Sequence, residues 1–352
     1  GCVTMALNLF RKEVQVMQAC SIMVMGAGSW GSSLAIHLAK LGHKVYLWGR
    51  DPNRLDEMRS TRCNNRYLPG ITFPESIIIN QDIAAILAQV QHVVIAVPSQ
   101  GFIATMQALQ PHITSEHKLL LSSKGVHYSD EEGLLPLSEI ARKHLGEQLQ
   151  IAVLSGPSFA IEVAQGRPTA VVVASDNQGM ALQWAEIFHS ELFRPYHSLD
   201  MFGVQIAAAI KNPLAVAVGL ADGLKLGYNA RSALLTRGLA EMQRLGVALG
   251  GKAETFTGLA GMGDLVLTAT SDLSRNRRLG LALGQGLSLS QARKQVGQVI
   301  ESVANVSSLL QASERLEVAL PIMSEVHQVI LGAIQAEEAL FNLLRRAIRS
   351  EV

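Results

Sequence analysis

The chain has 352 residues, 48% hydrophobic and 17% charged, with a formal net charge of +1. That length predicts about two domains, with enough apolar residues to build their cores. A near-neutral chain carries no global field to draw in nucleic acid or an acidic membrane surface, so anionic ligands must be met by local basic groups.

Residues 1–20 read as an extension before the first strand, either without fixed structure or packed as a short helix. Arg11, Lys12 and Glu13 lie in its middle, whereas a secretory leader puts basic residues before a longer apolar stretch. Ile22–Met25 is a short apolar strand. It runs into Gly26-Ala27-Gly28-Ser29-Trp30-Gly31, which fits G-x-G-x-x-G. An amphipathic helix follows, Gly42 stops it, and Lys44–Trp48 forms a second strand. This β-α-β context points to dinucleotide binding. Gly26 allows the tight turn, Gly28 lets backbone approach a pyrophosphate, and Gly31 lets helix and strand pack closely. The helix N-terminus adds free N–H groups and a positive dipole end.

The second strand ends in Trp48-Gly49-Arg50-Asp51. NAD selection uses an acidic group here and NADP a basic one. Asp51 begins Asp-Pro, a helix-start signal, so it reads as a cap. Arg50 then suits a 2′-phosphate, and NADP is the expected preference over NAD. Further strands are expected at His92–Val97, Lys118–Ser122, Ile151–Leu154 and Ala170–Ala174. Helical stretches between several of them indicate an α/β fold with a doubly wound parallel sheet. Pro98-Ser99-Gln100, Ser122-Ser123-Lys124-Gly125 and Ser155-Gly156-Pro157-Ser158 follow three of these strands. Their carboxyl ends are where such sheets bind ligands.

After about Leu199 strand signals nearly vanish. Amphipathic segments at 201–224, 229–249, 278–284, 288–296, 301–317 and 322–346 describe an all-α second domain. The expected organisation is an extension at 1–20, a Rossmann-type domain at 21–198 and a helical domain at 199–352. No apolar run reaches membrane-span length. Residues 206–222 come closest, and Lys211 and Asn212 interrupt them. Lys211 reads either as a desolvated general base or as a lysine snorkelling from an apolar helix to water. Pro213 should disturb that helix locally. In Gly258-Leu-Ala-Gly261-Met-Gly263-Asp264, the glycines suggest a tight turn presenting one carboxylate, or Asp264 caps the next helix. Ser274-Arg275-Asn276 at a helix start is a phosphate-binding set or a solvated basic patch. Cys2, Cys20 and Cys63 lack metal-ligand spacing, so no metal site is expected, and the thiols fit a cytoplasmic protein.

Taken in order, GAGSWGSSLA, VIAVPSQ, SSKG, LSGPSFA, IKN, GLAGMGDLVLT, SRNRRLG and VIES resemble the bacterial-type NAD(P)-dependent glycerol-3-phosphate dehydrogenases, over roughly residues 21–345. The resemblance implies reversible hydride transfer between sn-glycerol 3-phosphate and NAD(P)+, giving dihydroxyacetone phosphate and supplying phospholipid synthesis. It implies Lys211 as proton acceptor, with Lys124 and Asp264 completing the catalytic set. It assigns cofactor contacts to Gly26, Gly28, Ser29, Trp30, Gly31, Arg50, Lys124, Ala160, Arg275, Val299 and Glu301. Substrate contacts fall on Lys124, Gly156, Ser158, Lys211, Asn212, Asp264, Ser274, Arg275 and Asn276. The chain departs from the family pattern at Gln205, where a glutamate is expected, and at Ala207 or Ala208, where a glycine is. Pro213 replaces an aliphatic residue and Ser302 a glycine.

The nearest rival is an NADP-dependent 3-hydroxyacid or 6-phosphogluconate-type dehydrogenase. A non-catalytic nucleotide-sensing protein on the same fold is a third reading. The Ser-Arg-Asn set beside Gly-Asp-Leu favours a small phosphorylated substrate. A homodimer paired through the apolar helices is expected.

Overall fold

The computed structural model describes residues 18–297 and 301–346, and their side chains except those of 301–304. Most of the 1–20 extension therefore lies outside the described residues. The strands are β1 (Ser21–Met25), β2 (Lys44–Trp48), β3 (Cys63–Asn64), β4 (Leu68–Thr72), β5 (Ile77–Ile79), β6 (His92–Ile95), β7 (Lys118–Leu121), β8 (Val126–Ser129), β9 (Gly133–Pro136), β10 (Gln150–Ser155), β11 (Thr169–Ala174) and β12 (Phe193–Ser198). The main sheet runs β5-β2-β1-β6-β7-β10-β11-β12. From β5 to β10 it is parallel, in the order of a dinucleotide-binding sheet, and the strand order reverses between β1 and β6.

All six expected strands are present, shifted by no more than two residues at either end. One detail differs from an all-parallel sheet: β11 runs antiparallel to β10, and β12 follows β11 in parallel. The link between β10 and β11 holds only the five-residue helix Ala160–Ala164, too short to carry the chain across the sheet face. The sequence pattern also missed β5, β12 and the hairpins β3–β4 and β8–β9. β5 is three residues long. β12 is a mostly polar edge strand whose Pro195 is tolerated because one side is unpaired.

Steric contacts explain two of the three fingerprint glycines. Gly26 has φ +123°, and a Cβ there would lie 2.3 Å from the Ala96 carbonyl oxygen. A Cβ on Gly31 would lie 1.7 Å from the Gly26 carbonyl oxygen. A Cβ on Gly28 would meet nothing within 4 Å among the described residues, so none of them requires that glycine.

Every described element from Met201 onward is helical. Helix Met201–Gly223 is the axis of this half and is almost wholly buried. It is long and apolar enough to cross a membrane, yet it sits in the interior as a core helix. It runs through Pro213 without interruption, so the expected disturbance is confined to the lost N–H donor. Its Gly219 and Gly223 face Gly280 and Gly284 of helix Arg275–Gly284, where any Cβ would strike the opposing backbone at 2.1–2.5 Å. Backbone-to-backbone packing sets the C-terminal half of Met201–Gly223 along the whole of Arg275–Gly284. The segment expected as one helix at 322–346 is two, Pro321–Ile330 and Ala336–Leu344, broken at Gly332 with φ +72°.

Gly31→Ala should destabilise the fold by ~1–3 kcal/mol through overpacking, whereas Gly28→Ala should leave the thermal midpoint unchanged. Thermal unfolding of both variants followed by circular dichroism checks the contrast.

Candidate active site

The carboxyl ends of the parallel strands open toward the helical half. Ser122 and Ser123 carry the chain off β7, with the Ser122 hydroxyl donating to the Ile95 carbonyl at 2.9 Å. Lys124 follows and reaches out of the sheet. From the other side, Lys211 projects from the middle of helix Met201–Gly223. Between them lies Asp264. Lys124 Nζ donates to Asp264 Oδ2 at 2.9 Å, and Lys211 Nζ lies 2.8 Å from Asp264 Oδ1.

Lys211 is only 5% exposed, which excludes the snorkelling alternative. Burial pulls its pKa down from the usual lysine range to about 8, partly offset by the Asp264 charge, with Lys124 pushing the same way as burial. Burial alone would raise the Asp264 carboxyl. The ammoniums of Lys124 and Lys211 outweigh it and hold the carboxyl below its ordinary value. Thr268, unassigned from the sequence, completes the cluster. Its hydroxyl accepts from Lys211 Nζ at 3.0 Å and donates to Asp264 Oδ1 at 3.2 Å. The signal for it was the i, i+4 spacing from Asp264 on one helix face.

The turn that presents Asp264 is a π-helical segment, Leu259–Gly263, in which the Gly263 N–H donates to the Gly258 carbonyl at 3.1 Å. A Cβ on Gly261 would lie 2.1 Å from the Phe256 carbonyl oxygen, so this wide turn depends on that glycine. Asp264 is the first residue of helix Asp264–Thr270, but its side chain faces the lysines rather than capping that helix. The turn after β10 borders the same place, since Pro157 approaches Gly263. Within it, Gly156 takes φ +127°, and the Ser158 hydroxyl donates to the Gly156 carbonyl at 3.0 Å.

Asn212 and Asn276 meet across the packed helices, Asn276 Nδ2 donating to Asn212 Oδ1 at 3.1 Å. Asn276 Oδ1 is buried with no partner among the described residues. Ser274 caps helix Arg275–Gly284 by accepting from the Arg277 N–H. Arg275 opens that helix, while Arg277 turns inward to an ion pair with Asp222. Gln205 is occupied elsewhere: it donates to the Ser138 hydroxyl and the Met201 carbonyl, and accepts from the Ser138 N–H. An ionised glutamate could accept from the Ser138 N–H and hydroxyl but could not donate to the Met201 carbonyl, so the departure at Gln205 is internally satisfied.

At the other end of the crevice, helix Ser29–Lys40 begins without a side-chain cap and without an acidic residue in its first turn. With open space before Gly28, this end fits an anionic pyrophosphate. Trp30 is half-buried in that first turn. Ala160 is tied to the same helix through its carbonyl, which accepts from the Ser33 hydroxyl at 2.7 Å. Asp51 acts as a cap, accepting from the Asn53 and Arg54 N–H groups, and Arg50 is exposed beside it. Val299 lies outside the described residues. Glu301 begins helix Glu301–Arg315, and its side chain is likewise not described.

Comparison with known proteins decides the family. Residues 21–181 match the model of the NAD-dependent glycerol-3-phosphate dehydrogenase N-terminus, and residues 200–341 match that of its C-terminus. The chain belongs to the NAD-dependent glycerol-3-phosphate dehydrogenase family. It is 47% identical over 337 residues to the glycerol-3-phosphate dehydrogenase [NAD(P)+] of Hydrogenovibrio crunogenus, covering 94% of this chain and 97% of that one. The Yersinia pestis relative of the same name is 43% identical over 332 residues, with the same coverage. The crystal structure of the Coxiella burnetii glycerol-3-phosphate dehydrogenase superposes with a TM-score of 0.88 at 42% identity, covering 93% of this chain and 99% of that one. This kinship favours the family's own reaction over the 3-hydroxyacid and 6-phosphogluconate alternatives.

Asp264→Asn should move the Lys211 titration below about 8, because the Asp264 charge is what raises it. The same change should cost ~3–5 kcal/mol of stability by leaving buried ammoniums unpaired. NMR titration of the lysine side chains and denaturant unfolding measure the two effects.

Proposed function

We propose that this protein catalyses reversible hydride transfer between C2 of sn-glycerol 3-phosphate and NAD(P)+, giving dihydroxyacetone phosphate and NAD(P)H. The observation that carries this reading is the buried Lys211–Asp264–Lys124 cluster at the mouth of a dinucleotide-binding sheet. A bound nicotinamide supplies the hydride acceptor or donor. In oxidation, neutral Lys211 takes the C2 hydroxyl proton; in reduction, its ammonium returns a proton to the ketone oxygen. With a pKa of about 8, roughly a tenth of Lys211 is neutral at pH 7, so both forms are accessible. Lys124, held on the same carboxylate, supplies fixed positive charge where oxygen charge develops. Asp264 keeps the two ammoniums apart and oriented, and Thr268 fixes the direction of Lys211.

Asn212, Asn276, Arg275 and Ser274 form the side that takes the substrate phosphate and hydroxyls, with Gly156 and Ser158 on the sheet side. The unpartnered Asn276 Oδ1 is suited to accept from a substrate hydroxyl. Gly26, Gly28, Ser29, Trp30, Gly31 and Ala160 hold the pyrophosphate end, and Arg275, Val299 and Glu301 cover the dinucleotide from the helical half. NADP is the preferred cofactor. Arg50 is exposed at the end of β2, and Arg54 is the next cation, poised 4.2 Å over the Tyr67 ring. The division at 198/199 then separates a cofactor-holding part from a helical catalytic part. A cytoplasmic homodimer supplying phospholipid synthesis fits this role. Exposed Leu331, Phe341 and Leu344 offer an apolar face for pairing, and a solution mass of twice the 37.9 kDa chain tests it.

In the oxidation direction, kcat/KM should climb tenfold per pH unit and level off near pH 8; the reduction direction should decline above it. Lys211→Ala should lower kcat by ~10²–10⁴ while NADPH still binds, as calorimetry would show. Arg50→Ala should reduce the NADP/NAD ratio of kcat/KM by about tenfold, the loss of one charge-assisted phosphate contact; an unchanged ratio removes Arg50 from cofactor selection.

A further inference from the structure

The hairpin β3–β4 lies outside the main sheet and has no part in the chemistry above. One of its side chains is nevertheless fully engaged with the glycine turn. Asn64 is 1% exposed and sits where the register of the hairpin shifts, an irregularity that re-aims a side chain. Its amide nitrogen donates to the Ala27 carbonyl at 3.0 Å and to the Ser32 hydroxyl at 2.9 Å, and lies 3.5 Å from the Gly28 carbonyl. Its amide oxygen accepts from the Tyr67 N–H at 3.2 Å, which locks the amide against rotation. A residue 37 positions along the chain from Ala27 thus holds that carbonyl, while the Gly28 carbonyl is taken by the Ser32 N–H in the first bond of the helix.

The consequence follows from peptide geometry. In a trans peptide the C=O and N–H bonds point in opposite directions, and the described chain has no cis peptide bond. Drawing the Ala27 carbonyl toward Asn64 turns the Gly28 N–H the other way, while the helix bond from the Ser32 N–H at 3.0 Å sets the Gly28 carbonyl and with it the Ser29 N–H. Both N–H groups then face the open side of the turn, where a Cβ on Gly28 meets nothing. Among the described residues neither N–H donates to a protein acceptor. We propose that Asn64 is a positioning residue of the dinucleotide site, aiming the Gly28 amide at the pyrophosphate from behind the glycine turn. The inference deepens the functional reading above and rests on it.

Calorimetric titration of the full chain with NADPH, and separately with adenosine 2′-monophosphate, tests this. The second probe carries the adenosine end without a pyrophosphate. Asn64→Ala should raise the NADPH Kd and KM at least tenfold, leave the adenosine 2′-monophosphate Kd within twofold, and leave kcat at saturating NADPH within twofold. Asn64→Asp keeps the acceptor for the Tyr67 N–H but has no donor for the Ala27 carbonyl. It should reproduce the NADPH loss, and it carries the test if the alanine variant does not fold. Wild-type NADPH affinity in either folded variant overturns the proposal. So does a parallel loss of both probes, which marks a hairpin that merely supports the fold. Failure of the wild type itself to bind NADPH would overturn the functional reading instead.

Discussion

Asp264 is a buried carboxylate with an ammonium on each oxygen, and the two ammoniums come from opposite halves of the molecule. Lys124 arrives from the carboxyl edge of the sheet and Lys211 from the core of the helical half. Remove the carboxylate and two cations face each other in a site that water barely reaches. With it in place, attraction on both sides fixes the distance between sheet and helix at the candidate active site. The rest of the architecture supports that junction. The π turn before Asp264 is wide enough to swing the side chain inward. The paired glycines of helices Met201–Gly223 and Arg275–Gly284 bring Asn212 and Asn276 within hydrogen-bonding distance.

The same junction sets the reactivity of Lys211. Burial pushes the ammonium toward deprotonation, while Asp264 keeps it from titrating too low. A lysine tuned to about 8 can serve both directions of a reversible proton transfer near neutral pH. Neither influence alone has this effect: an exposed lysine would remain protonated, and a buried unpaired one would be a poor proton donor in the reverse reaction. The departure at Gln205 leaves this balance alone, because its amide is consumed by Ser138 and Met201.

At the cofactor end the glycines divide into two kinds. Gly26 and Gly31 are required by the protein's own packing, whereas Gly28 is required by none of the described residues. That distinction separates a glycine kept for the fold from one kept for a ligand. In the proposed role Asn64 belongs with the second kind, since from a separate hairpin it holds the Ala27 carbonyl of the glycine turn.

The amino-acid sequence alone revealed the β-α-β fingerprint, six of the eight strands of the main sheet and the change to helices after residue 198. These are legible because local apolar periodicity and turn glycines carry them. It also singled out Lys124, Lys211 and Asp264, as charges interrupting apolar runs or set in glycine turns. What it left open was whether Lys211 is buried or snorkels, and whether Asp264 caps a helix or pairs with a base. Those alternatives turn on contacts between residues distant in the chain, 57 positions for Lys211 with Thr268 and 140 for Lys124 with Asp264, and no local pattern encodes that. Tertiary packing alone decided the antiparallel turn of β11, the bridging role of Thr268 and the grip of Asn64 on the glycine turn. Each depends on hydrogen bonds or on a chain path that exists only once distant segments are brought together.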